Sequence, residues 1–190
     1  MSVVVAVRKD GQTVMASDSM SVFGHHCEDH TNIASTDKIL TVGSSLLGIT
    51  GWGLYGNIFN HYLSSRRTAP RLSGEREIFD FFLKFWRELR EKYSLVNEQA
   101  NTDKEPFADL DANFLVANRK GIFHVSSNLS VCGIRRFYAI GSGCEYATGA
   151  MFALYETKQS AEAVARKAVE AAIRFDTDCG GEITVKKARS

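Results

Sequence analysis

Val3, Val4, Val5 and Val7 follow Met1 and Ser2 directly, and no other stretch constrains the fold as strongly. β-Branched residues fit a pleated, packed backbone, so the start of the chain reads as buried β-structure. Most domains carry a few loose residues ahead of their first element. Here Ser2 stands at the mouth of a strand, and it is small enough for the initiator methionine to be removed. Removal leaves a hydroxyl and a free α-amine on one residue. An unperturbed α-amine titrates near about 7.7–8.0, so part of it is neutral at cellular pH and able to act as a base. An ordinary processed terminus has the same appearance, and the rest of the sequence has to decide between them.

Asp10-Gly11 is a tight-turn signal that joins the first strand, Val3 to Arg8, to a second from Thr13 to Ser17. The polar stretch 22–37 matches neither the strand nor the helix period. Lys38 to Val42 and Leu46 to Thr50 form a second expected hairpin around Gly43-Ser44. A helix follows from Leu54 to about Ser65. A longer one is predicted from Glu75 to about Asn97, where Ile78, Phe82, Phe85, Leu89 and Tyr93 recur at helical spacing. After a loop, "EQANTDKEPFADLD", the pattern repeats in kind. A hairpin turns at Arg119-Lys120-Gly121, "RRFYAIGSG" reads as a strand, and two alanine-rich helices cover Gly143 to Glu156 and Gln159 to Phe175. Ser160 is the expected N-cap of the second of these. A last strand runs from Glu182 to Lys186. Two groups of antiparallel hairpins, each followed by helices, predict an α+β fold with two stacked sheets and a helical layer outside each.

With 190 residues, 44% of them hydrophobic, the chain suits a single domain spanning 1–190 with a substantial core. Its formal charge of +1 and the absence of a like-charge block argue against nucleic-acid binding and against a polybasic membrane patch. The apolar runs fall short of a bilayer span, and the N-terminus lacks a signal-peptide layout, so a cytoplasmic location is expected. Cys27, Cys132, Cys144 and Cys179 form no CxxC pair and read as reduced thiols.

Beyond Ser2, four features carry chemical potential. Asp18 ends the strand that pairs with the first, which brings its carboxylate back beside Ser2. Lys38 opens an apolar strand, where a charge near a serine hydroxyl stabilises the alkoxide; an edge lysine that blocks sheet association is the plain alternative. In "AIGSGCEYATGAMFAL" a strand enters Gly-Ser-Gly and then a helix, aiming Ser142 and nearby N–H groups into a cleft. In "RFDTDCGGEITV", Asp176 leaves a helix and Gly180-Gly181 precede the final strand. Each alone has an ordinary structural explanation.

Together these features resemble the proteasome β-subunit family of N-terminal nucleophile hydrolases over essentially the whole chain. "IGSGCEYATGAMFALYE" is especially similar to HslV, and the serine in place of threonine points to the betaproteobacterial proteasome homologue branch. The resemblance implies the four-layer αββα sandwich. It makes Ser2 the nucleophile, with Asp18 and Lys38 forming the charge network around it. Ser142 and Asp176 would orient the α-amine and a proton-carrying water. In "ITGWG" the backbone N–H of Trp52 would be the oxyanion donor, where the family usually has glycine. Cys179 stands where a hydroxyl is usual, and a thiol makes the weaker hydrogen bond. Serine also lacks threonine's χ1 restriction, so its hydroxyl is less preorganised.

The implied function is a self-compartmentalising peptidase: a homo-oligomeric double ring of hexameric or heptameric rings, acting on unfolded polypeptide or peptide, with no cofactor. An ATPase unfoldase as partner is left open. The alternative is a catalytically silent, ring-forming scaffold of the same family. The segment between Asp18 and Lys38 is a few residues longer than the family norm and contains "HHCEDH". His25, His26, Cys27, Glu28, Asp29 and His30 are all zinc-ligand types, but six in a row match no regular ligand spacing. A solvated loop is the expectation, and no metal is assigned.

Overall fold

In the first strand, Val3, Val4, Val5, Ala6 and Val7 are all fully buried, which explains why it shows no polar alternation. The computed structural model describes residues 2–28, 31–34, 37–93 and 110–189. Strand β1 (Val3–Lys9) pairs antiparallel with β2 (Gln12–Ser17). Asp10 and Gly11 between them both have positive φ, 50° and 74°, the pattern of a type I′ turn. Two further strands complete this first sheet, β10 (Phe137–Gly141) beside β1 and β11 (Thr184–Lys187) beside β2, in the order β10-β1-β2-β11.

The second sheet runs β5-β6-β7-β8-β9, from β5 (Ile39–Val42), β6 (Ser45–Gly51), β7 (Ala112–Asn118), β8 (Gly121–Val125) and β9 (Val131–Ile134). Val4, Ala6 and Met15 of the first sheet meet Ile39, Leu46, Leu115, Ala117 and Ile122 of the second. The sheets approach so closely at Gly48 that a Cβ there would lie 2.5 Å from Val4 Cγ1.

Helices cover both outer faces. Val3, Val5, Val7, Val14 and Ala16 pack against α3 (Cys144–Leu154) and α4 (Ala161–Phe175), where alanines let the helices sit close to the strands. Ser160 caps α4, its Oγ accepting the Ala163 N–H at 3.2 Å. The other face of the second sheet carries α1 (Gly53–Ser64) and α2 (Glu75–Lys92) over a core rich in phenylalanine. Glu75 and Glu77 lie in the first turn of α2 and Arg90 and Lys92 in its last, each complementing the helix dipole. The result is the αββα sandwich that the alternation of hairpins and helices predicts.

Four expectations change. The stretch 22–37 is not wholly irregular: β3 (Ser21–Phe23) and β4 (His26–Glu28) form a small hairpin, too short to register as a period. β9 was not expected, because it is an edge strand with Cys132 and Gly133 exposed in its middle and shows no apolar alternation. β11 starts at Thr184, two residues later than expected. The helix predicted to about Asn97 ends at Lys92 with Tyr93 as its non-helical C-cap, and residues 94–97, with most of the loop after them, lie outside the described residues.

Candidate active site

Because β1 and β2 are antiparallel and joined by a tight turn, Asp18, just beyond β2, returns to the start of β1. Its carboxylate is fully buried and holds three groups together. Oδ1 accepts Lys38 Nζ at 2.7 Å and the Val3 N–H at 3.0 Å, while Oδ2 accepts the Gly180 N–H at 3.2 Å. Lys38, one residue before β5, reaches across from the second sheet and also donates to the Met20 carbonyl at 2.7 Å. It is no edge lysine: its side chain is only 12% exposed. Burial pulls the Lys38 ammonium below its ordinary pKa, and the facing Asp18 carboxylate opposes that pull.

Ser2 is buried, and its main chain is clamped from the β10–α3 turn. The Ser2 N–H donates to Ser142 Oγ at 3.2 Å, and the Ser142 hydroxyl in turn lies 3.4 Å from the Ser2 carbonyl oxygen. Gly141 makes this approach feasible: its φ is +96°, and a Cβ there would sit 2.1 Å from the Ser2 oxygen.

Asp176 is the C-cap of α4. Its carboxylate accepts the Asp178 N–H at 3.0 Å and the Cys179 thiol at 3.4 Å. Partial burial works to raise its pKa, but hydrogen bonds from Asp178, Ser142 and Cys179 outweigh this and hold it below the usual carboxylate value. The Cys179 Sγ lies 3.9 Å from Ser142 Oγ, joining the two halves of the site. Its thiol is pushed up to about 12 by burial and by the Asp18 and Asp176 carboxylates, so it stays protonated and acts as a donor.

Six of the seven residues expected from the sequence, Ser2, Asp18, Lys38, Ser142, Asp176 and Cys179, therefore lie in one connected network. Trp52 is placed by β6 rather than by a hydrogen bond to this network. It is the N-cap of α1 with ordinary extended dihedrals (φ −69°, ψ 135°), so the tryptophan causes no backbone strain, and its ring is exposed. Two residues earlier, on β6, Thr50 Cγ2 lies 3.1 Å from the position a Gly141 Cβ would take, which sets this end of β6 beside the Ser2 clamp.

Sequence reasoning missed the main-chain partners. Gly180 serves as a two-sided clamp, giving its N–H to Asp18 and accepting Ser19 and Met20 N–H groups at 3.1 and 3.0 Å. Its signal was the Gly-Gly pair, which reads only as a turn. In the "HHCEDH" stretch, His26 Nε2 lies 2.6 Å from Glu28 Oε1 and Asn32 donates to Glu28 Oε2 at 2.7 Å; Asp29 and His30 lie outside the described residues. Among the described residues no cluster of three or more histidine, cysteine or acidic side chains is placed to hold a metal ion.

The chain is 33% identical to the Thiobacillus denitrificans BPH structure, with a TM-score of 0.89 over 97% of this chain and 96% of that one. This chain belongs to the betaproteobacterial proteasome homologues. The assignment makes it a proteasome-type peptidase by family. The Thiobacillus denitrificans BPH in complex with epoxomicin matches at 32% identity and a TM-score of 0.88, over 99% of this chain and all (100%) of that one. HslV from Trypanosoma brucei, at 20% identity and a TM-score of 0.66 over 97% of this homologue and 98% of that chain, shares its fold. No protein-family model matches the chain, and no curated protein matches it.

Proposed function

We propose that this homologue hydrolyses peptide bonds with Ser2 as an N-terminal nucleophile, inside the chamber of a homo-oligomeric double ring in the cytoplasm. The observation that carries the reading is the clamp on the Ser2 nitrogen. The atom that becomes the α-amine when Met1 is removed lies 3.2 Å from Ser142 Oγ, and the Lys38–Asp18 pair is anchored at the very next N–H.

In this mechanism the Ser2 hydroxyl oxygen attacks the substrate carbonyl carbon while its proton passes through water to the α-amine. Lys38 places positive charge beside the forming alkoxide, and Asp18 holds that charge in position. The Trp52 N–H receives the oxyanion of the tetrahedral intermediate. The intermediate collapses, the C–N bond breaks, and the leaving amine takes the proton from the α-amine. Water then attacks the acyl ester on Ser2, releasing the carboxylic acid and restoring the hydroxyl. Ser142, Asp176 and Cys179 orient the amine and the water.

Assembly is supported by exposed apolar surface outside the α2 core face. Phe81, Phe82 and Phe85 of α2 are buried in this chain's own core, because Phe59, Tyr62 and Phe114 stack around them; only Phe79 of the helix's phenylalanines is exposed. The other exposed aromatics among the described residues are Phe23, Trp52, Phe152, Phe175 and Tyr146, the last two in contact with each other on the α3–α4 layer. Patches of that kind mark association surfaces. Among the described residues no helix is long and apolar enough to cross a membrane.

The test is intact-mass spectrometry on the purified particle with and without epoxomicin, alongside peptide hydrolysis by wild type and Ser2→Ala. The proposal expects loss of Met1, one epoxomicin per active subunit and no hydrolysis by the variant. Near-normal turnover by Ser2→Ala would remove the nucleophile assignment, and a mature Ser2 terminus with no adduct and no turnover would favour the silent scaffold.

A further inference from the structure

The end of the sandwich opposite Ser2 is strongly basic, although the whole chain carries a formal charge of only +1. Three turns meet there. Arg8 and Lys9 close β1, Arg119 and Lys120 form the β7–β8 turn, and Arg135 and Arg136 form the β9–β10 turn. The Arg8 N–H donates to the Arg136 carbonyl at 2.7 Å, and Arg8 Nη1 donates to the Lys120 carbonyl at 2.9 Å, so one residue ties all three turns together across both sheets.

Three of these cations, Arg8, Lys9 and Arg136, are held in place. Tyr155, just after α3, donates its hydroxyl to the Arg8 carbonyl at 2.6 Å, and its ring carries Lys9 Nζ at 5.7 Å and the Arg136 guanidinium at 5.4 Å. Such contacts fix charges that a merely solvated face would leave mobile. Compensation is sparse: among the described residues only Arg136 of the six makes an ion pair, with Glu156 at 2.8 Å. Gathering like charges this closely costs the free chain stability, and a complementary surface relieves the cost.

We infer that this distal face is a docking surface for an acidic polypeptide segment of a partner protein. Β1 spans roughly 20 Å at about 3.3 Å per residue, so the docked segment would lie well away from Ser2 and leave the nucleophile accessible. A peptide is favoured over nucleic acid because Asp10 and Glu156 stand inside the patch. Duplex DNA presents a charge about every 1.7 Å and would meet both carboxylates, whereas spaced glutamates or aspartates can pass between them. Arginine forks also suit carboxylates, which they bind in a bidentate manner.

The experiment measures binding of a labelled polyglutamate peptide to the full-length assembled protein by fluorescence anisotropy, at low and at physiological salt. One variant combines Arg119→Glu, Lys120→Glu and Arg135→Glu. A second carries the same number of reversals elsewhere, Lys84→Glu, Arg87→Glu and Arg166→Glu. Thermal melting checks that both fold. The expected result is salt-sensitive binding to wild type, weakened by roughly tenfold or more in the first variant and unchanged in the second. Equal loss in both variants would reduce the effect to net charge and overturn the proposal. So would absence of binding to wild type, or tighter binding of an oligothymidylate than of polyglutamate.

Discussion

Lys38 Nζ lies 2.7 Å from Asp18 Oδ1, and that oxygen also takes the Val3 N–H, so a charge from the second sheet is pinned to the residue beside Ser2. Asp18 is fully buried, and removing its charge leaves an uncompensated ammonium beside it. Asp18→Asn is expected to destabilise the fold by about 3–5 kcal/mol, the usual cost of breaking a buried pair from one side. Peptide hydrolysis should fall by roughly two to three orders of magnitude. The double variant Asp18→Asn/Lys38→Met should regain much of the melting temperature and none of the activity. Recovery of both would show the pair to be structural.

The lowered pKa of Lys38 sets a pH dependence. Between its folded value and the ordinary 10.5, the unfolded chain binds a proton that the folded chain has lost. The contribution of this group to stability therefore rises with pH across that window. Activity moves the other way, because the charge beside the alkoxide is lost as pH rises through the folded value. The alkaline limb of kcat should accordingly lie below 10.5 in wild type and move upward in Lys38→Arg, whose guanidinium stays charged. A limb that does not move would take Lys38 out of the rate-determining step.

Much of this was legible in the sequence, for a physical reason that differs by element. The valine run at residues 3–7 and the Asp10-Gly11 turn are local signals, and they return Asp18 to Ser2 by strand geometry alone. The helix from Glu75 carries its own period, since one face packs on the phenylalanine core. Strand β9 left no mark because Cys132 and Gly133 in its middle are exposed and only Val131 and Ile134 at its ends pack on the cores, too few to show an alternation. The Gly180 clamp was hidden for another reason: it works through N–H and C=O, which every residue has. That Phe81, Phe82 and Phe85 of α2 fill this chain's own core is not legible from composition, which cannot tell such a side chain from one that faces a neighbour.

Cys179 gives a prediction about reagents as well as rate. Held near 12 and buried, its thiol should resist iodoacetamide at mildly alkaline pH, while the exposed Cys27 and Cys132 react. Peptide mapping by mass spectrometry reads this directly. Cys179→Ser should shorten and strengthen the 3.4 Å contact to Asp176 and raise kcat by a few-fold. Rapid labelling of Cys179 in the folded protein would contradict the burial on which this rests.

Gly141 tests the clamp from the other side. A methyl group there would lie 2.1 Å from the Ser2 oxygen, on a backbone whose φ of +96° already disfavours any side chain. Gly141→Ala should shift Ser2 by a fraction of an ångström to an ångström, and a misplacement of that order costs about 10²-fold in rate. Gly149→Ala is the matched control, since a Cβ at that position meets nothing within 4 Å. The first variant should lose kcat with some loss of melting temperature, and the second should keep both. Normal kcat in Gly141→Ala would mean that the Ser2 main chain tolerates displacement.

The buried first strand answers why Ser2 must stand where it does. Val3, Val5 and Val7 are locked against α3 and α4, and Val4 and Ala6 against the second sheet, so Ser2 is fixed from both faces. Residues added ahead of Ser2 leave this packing intact but turn its nitrogen into an amide, which cannot accept a proton. An extended variant carrying a specific protease site immediately before Ser2 should therefore fold, assemble as judged by light scattering, and fail to hydrolyse peptide. Cleavage that exposes Ser2 should restore activity by several orders of magnitude, because base and nucleophile then reside on one residue. If the extended form already hydrolyses peptide as fast as the cleaved form, the α-amine is not the base, and the proton must go to another group within reach of the Ser2 hydroxyl.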